Sequence, residues 1–254
     1  YNRAINEYRR TGGDLPKALD STQRHYGTNP EVRLPHRGKT LEAIKKGDTI
    51  VVFEHTGVYT DALDSISAIN HLLELVGPER PQTHMIIDAR VTKILDPRKE
   101  FGDHLIEVAG VSRFGTASPS ENISVLKQAI SVLKQGDNLI FAPDGAKKHW
   151  NEGLGRLVKL VGEAMVVFAF TKTTTNLNVL SYVPLFGRHV YTPYLAKRGQ
   201  ITFSEPVSSQ DIMQRGDRKQ ITGFMETAMH DWGKELEKDP KALFEGGHKV
   251  IIDE

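Results

Sequence analysis

Thr49-Ile50-Val51-Val52-Phe53-Glu54-His55-Thr56-Gly57-Val58-Tyr59-Thr60-Asp61 is the stretch on which the fold turns. The run from Thr49 to Phe53 has no polar alternation and reads as a buried strand, which stops at Glu54 and leaves His55 just past its end. From about Asp61 to Val76, apolar Leu63, Ile66, Ile69, Leu72, Leu73 and Val76 recur at helical spacing, and Gly77-Pro78 stops the run. Strand, histidine loop and helix thus form one unit. A second unit of the same kind follows at Asn138 to Ala142, where the strand delivers Pro143-Asp144-Gly145-Ala146-Lys147-Lys148. A helix then runs through Leu154, Leu157, Val158 and Val161 to Gly162. Open α/β sheets keep their ligands at such strand ends.

Working outward, the spacing predicts strands at Met85 to Ile87, Leu105 to Val111, Met165 to Ala169, Val179 to Pro184 and Ile201 to Phe203. Thr40 to Lys46 reads as a short helix closed by Gly47. Ser118-Pro119-Ser120-Glu121 is a helix start, with Ser118 as N-cap and Pro119 at the first helical position. Ile123, Leu126, Ile130 and Leu133 are the expected inner face, and Gly136 the end. A last helical pattern spans roughly 208 to 236, with a break expected at Gly216 or Gly223. Residues 1 to 38 are polar, with turn signals at Gly12-Gly13, Asn29-Pro30 and Pro35, and are expected to form an N-terminal helical or irregular extension on a 39–254 domain. Strands interleaved with helices, without an internal repeat, predict an α/β class with a mainly parallel central sheet flanked by helices.

Composition narrows the chemistry. With 254 residues, 39% of them hydrophobic, the chain can bury a substantial core. It has no cysteine, so disulfides, thiolate nucleophiles and cysteine-ligated zinc are excluded, and catalysis falls to oxygen and nitrogen groups. A formal charge of +1 gives no net-charge case for nucleic acid, and the aromatic residues are too dispersed around the basic clusters to form a stacking platform. The central apolar run from Ala164 to Phe170 is far shorter than the ~20 residues a membrane span needs. The chain opens on Tyr1 with no charged-then-apolar leader, which is the expectation for a trimmed or processed chain.

His55 is the candidate base, because imidazole titrates near neutral pH and a carboxylate such as Asp61 can fix its tautomer. By itself, a histidine at this position could equally cap the strand. Asp144-Gly145-Ala146-Lys147-Lys148 lies between strand and helix, where a glycine lets backbone N–H groups approach an anion while lysines neutralise it. Arg113, at another strand terminus, could add a forked contact. The alternative for this segment is an ordinary solvated turn. His25, His36, His71, His84, His104 and His149 show no metal-ligand spacing, and Asp61-x-x-Asp64 lacks the further acids a Mg²⁺ site requires, so no metal is expected. Arg215-Gly216-Asp217 falls in a helix-like stretch and is read as chance.

The order of these segments resembles the glycerolipid acyltransferase superfamily, the lysophosphatidic acid and glycerol-phosphate acyltransferases. Phe53-Glu54-His55 to Asp61 looks like that family's His-x4-Asp motif, with one residue more. Gly110-Val111-Ser112-Arg113 looks like its phosphate-binding arginine segment, and Phe141-Ala142-Pro143-Asp144-Gly145-Ala146-Lys147 like its Phe-Pro-Glu-Gly-Thr-Arg-Ser block. Ser181-Tyr182-Val183-Pro184 and the segment from Arg198 to Val207 look like its late strands. Asp144, Ala146 and Lys147 stand where Glu, Thr and Arg are usual, and Lys147 keeps the charge without the fork.

The resemblance, covering roughly Thr40 to Leu236, implies transfer of a fatty acyl group from acyl-CoA or acyl-carrier protein, as co-substrate and without cofactor, to a hydroxyl of a (lyso)phospholipid or related lipid. His55 would be the general base and Asp61 its orienter, with Asp64 a substitute partner. Arg113, Asp144, Gly145 and Lys147 would hold the substrate. It also implies peripheral association with a membrane surface, expected on the cytoplasmic side, through residues such as Lys147, Lys148, Lys197 and Arg198. Two other readings stand beside it. One is a non-catalytic lipid- or protein-binding member of the same fold. The other is a serine hydrolase using Ser112, whose surroundings are one residue too long for a Gly-x-Ser-x-Gly elbow.

Overall fold

A computed structural model of the chain describes residues 2–26, 30–53, 60–77, 80–88, 92, 99–108, 119–143, 150–172, 183–185, 188–190 and 200–239. In chain order the elements are α1 (Asn2–Arg10), α2 (Leu15–Tyr26), β1 (Glu31–Arg33), α3 (Arg37–Lys46), β2 (Thr49–Phe53), α4 (Thr60–Val76) and β3 (Thr83–Asp88). After the short 3-10 turn Gly102–His104 come β4 (Leu105–Val108), α5 (Pro119–Lys134), β5 (Asn138–Phe141), α6 (Gly153–Val161) and β6 (Met165–Lys172). A separate antiparallel pair follows, β7 (Val183–Leu185) and β8 (Arg188–Val190), then β9 (Gln200–Phe203), β10 (Val207–Ser208), α7 (Ser209–Met213) and α8 (Arg218–Lys238).

The main sheet has the order β1-β9-β6-β2-β5-β3-β4, with β10 beside the start of β6. Strands β6, β2, β5, β3 and β4 all run parallel. β9 and β10 run against β6, and β1 runs parallel to β9. This is an α/β fold with a mostly parallel sheet flanked by helices, as the interleaved pattern predicts. β9 and β10 lie along β6 as one interrupted antiparallel strand. Where the ladder breaks between them, Ser204 Oγ accepts the N–H of Phe168 at 2.9 Å and keeps a buried donor paired.

Every residue of β2 is buried, because helices cover both faces. Ile50, Val52, Leu139, Phe141, Val166 and Phe168 face one core, completed by α5, α6, α7 and α8. Their neighbours Val51, Phe53, Ile140, Val167 and Ala169 face the other, completed by α1, α2, α3 and α4. The period-2 alternation of strand side chains thus splits one apolar run between two cores.

Two sequence expectations change in detail and a third is resolved. Residues 1–38 supply Ala4, Ile5, Leu15 and Leu19 to the core on the α4 side, and β1 adds to the sheet by pairing Val32 with Ile201, a strand that the polar composition conceals. In α5, Leu133 is buried and Leu126 and Ile130 pack against the core as expected, whereas Ile123 is 48% exposed. Val125, Ala129 and Val132 join that face as its buried centre, where the helix meets β4 and β5. The last helical stretch does break, at Gly216 with φ 125°, and Asp217 then caps α8, while Gly223 continues inside the helix.

Candidate functional site

The five parallel strands present their C-terminal ends along one rim, and the candidate residues follow those ends. Val52 pairs with Phe141 in the register of β2 on β5, so these two strands finish side by side, about 4.8 Å apart. Val52 also pairs with Phe168, and Phe53 with Ala169, which sets β6 on the opposite flank of β2. β4, the strand that leads toward Arg113, lies two strands beyond β5 and points the same way.

Most of the sequence-predicted site lies outside the described residues. His55 belongs to 54–59, Arg113 and Ser112 to 109–118, and Asp144, Gly145, Lys147 and Lys148 to 144–149; Lys197 and Arg198 fall in 191–199. Asp61 occupies the second position of α4 and Asp64 comes three residues later, with the backbone alone described at both.

Several groups around the rim were not singled out in the sequence. Asn151 fastens the far end of the 144–149 segment to its near end: its backbone N–H donates to the Pro143 carbonyl at 3.2 Å, and its side-chain amide donates to the same oxygen. Its Oδ1 also accepts the Gly153 N–H at 2.8 Å, which caps the first turn of α6. One asparagine therefore fixes the exit of β5 and the entry of α6. The Asn-x-Gly spelling before a helical run was the available signal. Next to it, Trp150 is buried with its indole N–H unpartnered among the described residues. Thr171, near the end of β6, is likewise buried with an unpartnered hydroxyl.

Two further polar clusters lie away from this rim. At the N-terminal edge of the sheet, the rings of His84 and His104 stack with centroids 5.2 Å apart. His84 Nε2 stands 3.3 Å from Asp137 Oδ2, and His104 Nδ1 is 3.2 Å from the Thr83 carbonyl, to which it donates as the Nδ1–H tautomer. Burial pushes the His104 imidazole below its ordinary value, and the neighbouring His84 adds to that shift. Between α2 and α4, a small cavity of about 150 Å³ is lined by Asp20, Arg24, Ser67 and His71. Its buried carboxylate is already engaged. Asp20 accepts from Ser67 Oγ, from Asn70 Nδ2 at 2.9 Å and from Arg24 Nε at 2.6 Å, so this network ties two helices together. Among the described residues no group of three or more His, Asp or Glu side chains could hold a metal ion.

Comparison with known proteins gives no match: no protein-family model fits the chain, and no curated protein matches it.

Proposed function

We propose that the protein is an acyltransferase that moves a fatty acyl group from acyl-CoA or acyl-carrier protein to a hydroxyl of a (lyso)phospholipid or related lipid. The observation that carries this reading is the pairing of β2 with β5. His55 comes two residues after Phe53 and Asp144 three residues after Phe141, and the strands ending at Phe53 and Phe141 are parallel neighbours. The reading needs a base and an anion cradle on one rim, and the adjacency of the two strand ends that lead to them supports it. Asp61, at the second position of α4, follows His55 at the first helical turn after the same strand.

In the proposed reaction, His55 takes the proton of the acceptor hydroxyl as its oxygen attacks the thioester carbonyl carbon. The carbon–sulfur bond then breaks, and the imidazolium returns the proton to the departing thiolate, which leaves an ester and a free thiol. Asp61 holds the ring in one tautomer and stabilises its cationic form. Gly145 and Lys147, with Arg113, hold the acceptor's phosphate. No described helix is long and apolar enough to cross a membrane. The lipid acceptor in this reading brings the domain to a bilayer surface, on the cytoplasmic side.

The test is transfer of labelled acyl groups from acyl-CoA and acyl-carrier protein to a panel of lysolipids. The expected result is transfer by the wild type that is abolished in His55→Ala. Undiminished transfer by His55→Ala would remove the proposed base. A second reading, a lipid-binding protein without catalysis on the same scaffold, draws on the His-x5-Asp spacing, one residue longer than in the acyltransferases it resembles. Lysolipid binding without transfer from either donor favours that reading.

A further inference from the structure

Among the described residues, β6 runs beyond its last pairing with β2 at the candidate rim. Phe53, the last residue of β2, pairs with Ala169, while Phe170, Thr171 and Lys172 continue β6 with β9 as their partner strand. Thr171 therefore comes two residues beyond Ala169, just as His55 comes two residues beyond Phe53. Its face follows from alternation. Val167 and Ala169 enter the core shared with α4, so Thr171 stands on the α4 side of the sheet, the side of the helix whose second residue is Asp61.

Thr171 is only 2% exposed, and its hydroxyl has no hydrogen-bond partner among the described residues. A buried hydroxyl without a partner carries a desolvation cost that the isosteric valine would not. Elsewhere on the sheet Thr49 Oγ1 donates to the Ala43 carbonyl at 2.9 Å and Ser204 Oγ accepts from the Phe168 N–H, while Thr83 shares with Thr171 a buried hydroxyl without a partner but stands at the start of β3, at the opposite end of the parallel strands. Thr171 differs from them in standing at the edge where the proposed reaction takes place.

We infer that Thr171 is a binding residue for the acceptor lipid, its hydroxyl donating a hydrogen bond to a head-group oxygen beside the reacting hydroxyl. The inference rests on the acyltransferase reading for the identity of that ligand. A threonine hydroxyl suits the role because it has one donor and rotates to find an oxygen without bringing charge into an apolar wall. The oxygen of the acceptor's phosphate or glycerol backbone supplies the missing partner, and the contact leaves the reacting hydroxyl free to give its proton to His55.

The experiment compares wild type, Thr171→Val, Thr171→Ser and His55→Ala. It measures acceptor and donor KM, kcat, thermal midpoint and binding of lysophosphatidic acid in mixed micelles. Thr171→Val is expected to raise the acceptor KM and weaken lysophosphatidic acid binding about tenfold, the equivalent of ~1.4 kcal/mol. The acyl-CoA KM should stay unchanged and the thermal midpoint should hold or rise, and Thr171→Ser should restore binding. A purely structural threonine would instead lower the midpoint and leave the two KM values unchanged or shift them together, and either pattern overturns the inference. Unchanged acceptor affinity in Thr171→Val, with transfer lost in His55→Ala, overturns the Thr171 contact and leaves the transferase reading intact. Wild type that binds lysophosphatidic acid, weakly in Thr171→Val, but transfers nothing keeps the contact and overturns the transferase reading. Wild type that neither binds nor transfers overturns both.

Discussion

At the residue scale, His104 couples stability to pH. Its ring is packed between His84, stacked at 5.2 Å, and Tyr8, whose ring meets it edge-on at 6.1 Å. The charged groups around it are Asp137, which faces His84, and Asp14, which is paired with Arg80. Burial and the adjacent imidazole hold its folded-state value below the ordinary 6.5, so the folded chain resists a proton that the unfolded chain accepts. The stability contributed by the neutral ring is therefore fully present above pH ~6.5 and is lost as pH falls from there through the lower folded-state value. Urea midpoints measured at pH 7.5, 6.5 and 5.5 should fall with pH. His104→Asn, which keeps an N–H near the Thr83 carbonyl, should flatten that fall. An equal slope in the variant would assign the pH dependence to other groups. None of this was legible in the sequence, where His84 and His104 stand 20 positions apart without metal spacing. Only the parallel pairing of β3 with β4 brings them together.

Elements were more legible than residues because propensity and periodicity act locally. Thr49–Phe53 came out as read, since a five-residue apolar run closed by Glu54 admits few alternatives. In α5 the expected face held at Leu126, Ile130 and Leu133 and failed at Ile123, because only tertiary neighbours decide where an apolar face is centred. The two glycines of the last helical stretch show what makes a break. Gly216 is followed by Asp217, whose carboxylate accepts from the N–H groups of Lys219 and Gln220 at 2.9 and 2.8 Å, and the Gln220 side chain returns a bond to the Asp217 N–H. Those N–H groups also hold the Asp217 carboxyl below its ordinary value. Asp217→Ala should lower the denaturant midpoint, because the N–H groups of Lys219 and Gln220 lose their cap. Glycines inside helices then separate by their surroundings. A Cβ at Gly155 in α6 would stand 2.2 Å from the Arg218 carbonyl oxygen at the start of α8, whereas a Cβ at Gly223 meets nothing within 4 Å. Gly155→Ala is expected to destabilise by about 1–3 kcal/mol through forced separation of the helices, and Gly223→Ala to stabilise by about 0.5–1 kcal/mol through helix propensity. Equal effects at the two sites would mean that α6 and α8 are not in the close contact described.

On the scale of the molecule, the sequence marks where strands stop but not which strands become neighbours. The ends of β2 and β5 were readable as strand ends running into polar candidate residues, yet their adjacency depends on a chain that leaves β2, builds β3 and β4, and returns to insert β5 beside it. The unpartnered hydroxyl of Thr171 was hidden for the same reason, since Phe170-Thr171-Lys172 spells only a strand running out into polar residues. The N-terminal segment makes the case most sharply. Polar and punctuated by turns, it reads as an extension, but Ile5, Leu15 and Leu19 are buried against the core that contains Ile69 and Leu72 of α4. Asp20 and Arg24 of α2 also join Ser67, Asn70 and Glu74 of α4 in one polar network. Burying those three aliphatic side chains contributes about 1.5–3 kcal/mol each, which rivals the ~5–15 kcal/mol that holds a typical domain folded. A chain cut to 39–254 would also lose β1 from the edge of β9, leaving the backbone of Gln200–Phe203 open to pairing with another chain. Such a chain is expected to lose the cooperative thermal transition of the full chain, to bind a hydrophobic dye and to associate in a concentration-dependent way. If the shortened chain instead unfolds in one sharp step with the same midpoint, α1, α2 and β1 are covering rather than core, and the α4 face of the sheet must be stabilised by α3 and α4 alone.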